Sequence, residues 1–128
     1  MALLRIIPGR LALEGTFMET VSELGFWQRM ATSQGLIILF FTSAGCHSCR
    51  IWRKLLTDYE ATRSGLRVWE VDAGIDMGIT QELNVYHLPA LFLFRDGHYQ
   101  RPIQVEARVH ALDRWLTAMA DQPAEEMP

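Results

Sequence analysis

Cysteine is scarce in this chain: two residues in 128. That number excludes a disulfide-stapled scaffold and cannot by itself complete a four-cysteine zinc site. Long apolar runs are also missing. The longest, LIILFF at Leu36 to Phe41, is far short of the ~18–20 residues a membrane-spanning helix needs. Neither sign of charge dominates, with 12 Lys and Arg against 15 Asp and Glu and a formal net charge of −3. A basic footprint for nucleic acid is therefore lacking, apart from a short cluster at Arg50, Arg53 and Lys54. The N-terminal stretch MALLRIIPGRLALEG is interrupted by Arg5, Pro8, Gly9 and Arg10 before a signal-peptide core of the usual ~7–15 apolar residues builds up. These absences point to a soluble, cytoplasmic protein with no nucleic-acid or membrane partner, in which a disulfide is transient and not architectural.

What is present suits one globular unit: 49% of the residues are hydrophobic, enough for a sizeable single core. Residues 1–15 read as an N-terminal extension, where RLALEG could form a short strand after a Pro8-Gly9 turn. The domain proper is expected over 16–121, and the acidic, proline-bearing end, 122–128, should be a frayed tail. SELGFWQRMATS, 22–33, predicts a first helix with Ser22 as N-cap and Leu24, Trp27, Met30 and Ala31 on one face. LIILFFT is continuously apolar, as a strand buried on both faces should be. From Cys46 to about Ala61, the residues Ile51, Trp52, Leu55, Leu56 and Tyr59 form a helical stripe, with Arg50, Arg53 and Lys54 opposite. LRVWEVD predicts a second central strand and DMGITQELN a short helix.

The pattern then changes. Two extended runs in ALFLFRDGHYQRPIQVE flank Asp96-Gly97, a strong hairpin signal, and Pro102 assigns the second run to a sheet edge. RVHALDRWLTAMA closes the domain as a helix with Val109, Leu112, Trp115, Leu116 and Met119 inward. Trp52, Trp69, Met18, Met30 and Met77 read as packing residues. The predicted class is α/β: a central mixed sheet of parallel strands plus a C-terminal antiparallel hairpin, with helices on both faces.

Both cysteines lie in TSAGCHSCR, where a strand gives way to a helix. Three uses fit such a pair: a redox dithiol, half of a zinc site, or a structural pair at a helix start. Zinc needs four ligands, and beyond the cysteines the chain offers His47, His87, His98 and His110, without a His-x₃₋₅-His pair. A cysteine at a helix start faces unpaired N–H groups and the positive end of the dipole, which favour thiolate. In the redox reading Cys46 is exposed and attacks, while Cys49, one turn further in, is buried and resolves.

LIILFFTSAGCHSCR resembles the central strand and redox motif of the thioredoxin family, and NVYHLPALFLFRDG resembles that family's segment of proline, strand and turn. The likeness spans about residues 16 to 120. Pro89 follows Cys46 by 43 residues, and Asp72 closes the second strand where the family pattern expects it. The resemblance implies a thioredoxin fold, a cis peptide bond before Pro89, and a substrate groove formed by Leu88 and Pro89 with His47, Ser48 and His87. It implies protein disulfide oxidoreductase activity with no bound cofactor and no metal. Protein disulfides are then the substrates, and a separate reductase or small-thiol pool is the electron donor.

Several positions depart from the family pattern. Gly45 replaces a tryptophan before the first cysteine, His47-Ser48 replaces Gly-Pro between the pair, and Lys54 replaces a kinking proline. Phe40 stands where the family usually has a buried aspartate that handles the proton of the second cysteine. Glu70 aligns with the lysine that partners this aspartate, so it reads either as a catalytic residue, the buried base for Cys49, or as a solvated, edge-facing carboxylate. These departures leave a second functional reading: a thioredoxin-fold binding or assembly factor with little or no redox turnover. A thiolate-based metal carrier is a third.

Overall fold

The structure is a computed structural model that describes the backbone of residues 4–7 and 10–13, and residues 18–128 in full. Strands β1 (Leu4–Ile7) and β2 (Arg10–Leu13) pair antiparallel as a separate two-stranded sheet, so the strand expected in RLALEG forms. The Pro8-Gly9 turn lies outside the described residues.

The main sheet begins with β3 (Glu19–Thr20), two exposed residues that carry no strand signal and pair because β5 offers them an open edge. Helix α1 (Phe26–Ala31) follows. It is shorter than the expected 22–33 and starts at Gly25, whose φ of 69° places it in the left-handed region. Ser22 does not cap it; its hydroxyl accepts instead from the Leu24 N–H. Leu24 is consequently 91% exposed, while Phe26 and Met30 are the buried anchors and Ala31 faces water.

Strand β4 (Leu36–Thr42) is the centre of the sheet, buried from Ile37 to Thr42. It leads into α2 (His47–Thr62), which returns the chain to β5 (Leu66–Asp72), parallel to β4. After α3 (Met77–Glu82) come β6 (Ala90–Arg95) and β7 (His98–Pro102), then α4 (Val109–Met119). Asp96 and Gly97 both take positive φ, 50° and 83°, as a tight hairpin turn with right-handed twist requires. The strand order is β3-β5-β4-β6-β7, with β4–β6 and β6–β7 antiparallel. Pro102 lies on the edge strand, as its missing N–H demands.

Two core clusters separate the faces of the sheet. One holds Ile38, Phe40, Leu66 and Val68 with Cys49, Trp52, Leu56 and Tyr59 of α2 and Leu112 and Leu116 of α4. The other holds Ile37, Leu39, Phe41, Trp69 and Val71 with Phe26 and Met30 of α1 and Ile79 and Leu83 of α3. Period-2 alternation thus sends successive residues of β4 and β5 to opposite layers. The expected inward faces need correction: Ile51, at the flank of the buried stripe Cys49, Trp52, Leu56 and Tyr59, is exposed, as are Val109 and Met77.

At the acidic end, Pro123 and Glu125 meet the edge strand β7. A bulge between Leu93 and Phe94 leaves Gln100 unpaired in the ladder, and its carbonyl accepts from the Glu125 N–H at 2.7 Å. Arg101 holds the Pro123 carbonyl and the Glu125 carboxylate.

Candidate active site

The chain leaves β4 at Thr42, and the Ser43 carbonyl accepts from the Cys46 N–H at 3.2 Å to close the turn into α2. Cys46 is the N-cap residue of that helix, with extended φ and ψ of −84° and 108°. Its sulfur accepts from the Cys49 N–H at 3.1 Å, so an otherwise orphaned helix donor points at the reacting atom. Cys46 and Cys49 form a disulfide across a Cα separation of 5.3 Å. Cys46 remains partly exposed, whereas Cys49 is 0% exposed within the α2-side core.

His47 and Ser48 occupy the exposed first turn of α2. On the other side of the sheet centre, the Leu88–Pro89 peptide bond is cis. His87 is exposed, and Leu88 packs against both core clusters, one of which also receives Cys46. The segment before β6 and the start of α2 therefore rest on the same apolar layer. Gly45 faces open space: a Cβ added there meets nothing within 4 Å.

Glu70 is paired in register with Phe40, and Thr42 with Asp72. In the alternation of the two strands, Glu70 follows Val68 and Thr42 follows Phe40, so both continue the face that packs against α2. The solvated, edge-facing reading of Glu70 is thereby corrected: β5 lies inside the sheet, and the side chain is 14% exposed. Nor is it an unpaired buried base. Arg53 grips it with two hydrogen bonds, Nε to Oε1 at 3.1 Å and Nη2 to Oε2 at 2.7 Å, and the Thr42 hydroxyl donates to Oε2 at 2.8 Å. Burial pushes the Glu70 carboxyl up, but the hydrogen bonds from Arg53 and Thr42 and the charge of Arg53 outweigh it and hold the group below its ordinary value. The same hydrogen bond raises Arg53 against the opposing effect of its own burial.

Arg53 lies on the flank of α2 with its side chain 41% exposed, consistent with the polar side of the helical stripe, and four residues after Cys49 its head group reaches inward to Glu70. Its partner across the sheet is a tertiary matter and has no signature in the spacing. Among the described residues, no group of three or more His, Cys, Asp or Glu is arranged to hold a metal ion, and no helix is long and apolar enough to cross a membrane.

Comparison with known proteins agrees with this geometry. The sequence has no significant match among curated proteins. Among solved structures, mitochondrial thioredoxin 3 from Saccharomyces cerevisiae in its oxidised form superposes with a TM-score of 0.68 at 19% identity, over 82% of this chain and 95% of that one. Human ERp44 in its zinc-bound form superposes with a TM-score of 0.66 at 15% identity, over 80% of this chain and 30% of the other. At these identities the two structures establish the fold. The thioredoxin family model matches residues 17–118, from the start of the main sheet through the last helix. With that match over most of its length, a bonded cysteine pair at the start of α2 and a cis-proline before β6, the chain belongs to the thioredoxin family.

Proposed function

We propose that this protein is a thiol–disulfide oxidoreductase that exchanges disulfides with protein substrates through Cys46 and Cys49. The observation that carries this reading is the asymmetry of the bonded pair: a partly exposed Cys46 at the helix N-cap and a fully buried Cys49 one turn later. The Cys46 thiolate attacks a substrate disulfide, forming a mixed disulfide and releasing one substrate thiolate. Cys49 thiolate then attacks Cys46 Sγ, releasing the second substrate thiolate and closing the internal disulfide. The reverse sequence reduces the Cys46–Cys49 disulfide and oxidises the attacking dithiol to a disulfide. Thiolate at Cys46 is favoured by the N–H of Cys49, which already points at its sulfur, and by the helix dipole.

Extended substrate backbone would lie over His87, Leu88 and Pro89, with His47 and Ser48 at the rim. In this reading the protein works in a reducing compartment, the cytoplasm, with a separate reductase or small-thiol pool as donor. Two experiments test it together. Reduced protein should cleave the interchain disulfides of insulin, and a Cys49→Ser variant should accumulate mixed disulfides in cell extract that dithiothreitol releases. A protein that neither turns over insulin nor traps any partner is a binding or assembly factor, and the enzymatic reading fails.

A further inference from the structure

We propose that Arg53 and Glu70 form a charge-balanced pair that sets the ionisation of Cys49, with Arg53 favouring its thiolate and Glu70 opposing it. The role deepens the oxidoreductase reading and rests on Cys49 being the resolving thiol. Three observations support it. Arg53 lies one helical turn after Cys49 on the same face of α2. Glu70 stands across from Phe40, which packs in one cluster with Cys49, and its two oxygens are held by Arg53 at 3.1 and 2.7 Å and by Thr42 at 2.8 Å. Cys49 itself is fully buried and Glu70 is 14% exposed, so the carboxylate is less screened than the 41% exposed Arg53.

Thr42 on β4 holds the Glu70 carboxylate of β5, and Glu70 in turn holds the guanidinium through two hydrogen bonds, which fixes the head group of a side chain that is otherwise 41% exposed. Opposite charges this close largely cancel at a distance, so the pair leaves Cys49 near balance while either member alone would not. The other charged or titratable groups around the site are placed differently. Asp72, one pleat beyond Glu70, accepts from the Gly74 and Ile75 N–H groups, and His47, Arg50 and His87 are exposed. Phe40 therefore removes the family's aspartate without leaving the site free of charge: a neutralised pair reaches it from the neighbouring strand and from the helix itself.

The reaction that this pair influences transfers two electrons and two protons. The Cys46 and Cys49 thiols become one disulfide, and the substrate disulfide becomes two thiols. Only the release of the Cys49 proton responds to the pair.

The test uses Cys46→Ala protein, in which Cys49 is the sole thiol, and follows its ultraviolet thiolate absorbance against pH. Glu70→Gln should move the midpoint down and Arg53→Met should move it up, each by up to about one pH unit, a tenfold change in thiolate fraction. The double variant Arg53→Met/Glu70→Gln should return close to the parent, and Arg53→Lys should lie between. Met retains the stem packing of Arg53, and the double variant contains no buried charge, so it folds even if one single variant does not. If Glu70 is instead a proton-accepting base, Glu70→Gln slows the resolving step in the two-cysteine protein and leaves the midpoint in place or raises it. That result, shifts of the same sign, or no shift at all overturns the proposal. The titration needs no substrate, so it can fail while insulin turnover succeeds, and the reverse holds equally.

Discussion

Phe40→Asp restores the family's usual residue at a position where this structure has no room for its charge. Phe40 is 0% exposed and packs in one cluster with Cys49 and Trp52. Truncating such a side chain typically costs about 3–5 kcal/mol through lost burial and the cavity left behind. The new carboxylate would also stand directly opposite Glu70 in the β4–β5 register, and the guanidinium of Arg53 is already engaged by Glu70. A second carboxylate there is either ionised without a partner or protonated against its ordinary value, which adds roughly 1–3 kcal/mol at neutral pH. The total, about 4–8 kcal/mol, approaches the ~5–15 kcal/mol by which a domain is usually stable. Urea unfolding of the oxidised protein followed by circular dichroism measures it, with Phe40→Asn as an uncharged control of similar shape. The Asp variant should be the less stable at pH 7, and the gap should narrow on acidification towards about pH 4, where one of the facing carboxyls takes up a proton. If the two variants unfold at the same urea concentration at pH 7, the facing of positions 40 and 70 is wrong.

Other consequences are simpler to measure. Gly45→Trp, which restores the tryptophan common in the family, should change stability by no more than about 0.5 kcal/mol, because a side chain there enters open space; a large drop in melting temperature would contradict the placement of the 43–45 turn. Gly97→Ala should destabilise by about 1–3 kcal/mol, since φ is +83° and the added Cβ would lie 2.7 Å from the Met30 carbonyl oxygen; an unchanged urea midpoint argues against that turn. Burial foremost, with the hydrogen bond to Asp113 and against the opposing effect of Arg63, pushes the Tyr59 hydroxyl up to about 12. Because the folded state holds this proton more tightly than the unfolded chain, with its usual ~10, the contribution is complete below pH 10 and lost between 10 and 12. Stability should therefore fall across that window, and Tyr59→Phe should flatten the decline; equal slopes for the two proteins count against the assignment.

Local patterns account for most of the architecture. The LIILFFT and LRVWEVD runs, the Asp96-Gly97 turn and the Pro102 edge each obey a short-range rule, and each forms at the residues that carry it. Failures concentrate where local signals are weak or where two segments compete. Ser22 has the chemistry of a cap, yet its hydroxyl closes a local turn and the helix begins after Gly25. β3 consists of two exposed residues that only an open neighbouring edge makes into a strand. Near the chain end, Glu125 meets the Gln100 carbonyl and the Arg101 guanidinium, contacts that composition does not announce.

The same division runs through the site. The Cys-His-Ser-Cys spacing at a strand-to-helix junction puts Cys46 at the helix start and Cys49 one turn further in, within disulfide reach; that the Cys46 sulfur caps the helix is decided by the structure. Pro89 was likewise marked, by its resemblance to the family pattern and not by its surroundings. What tertiary structure alone decided is the electrostatic setting of Cys49. Glu70 could be solvated or buried, and Arg53 had every appearance of a surface residue, until the register of β5 on β4 and the seating of α2 on that face brought the two within 2.7 Å. A sequence pattern reports which face of its own element a side chain occupies; which charge meets it there depends on how separate elements are stacked.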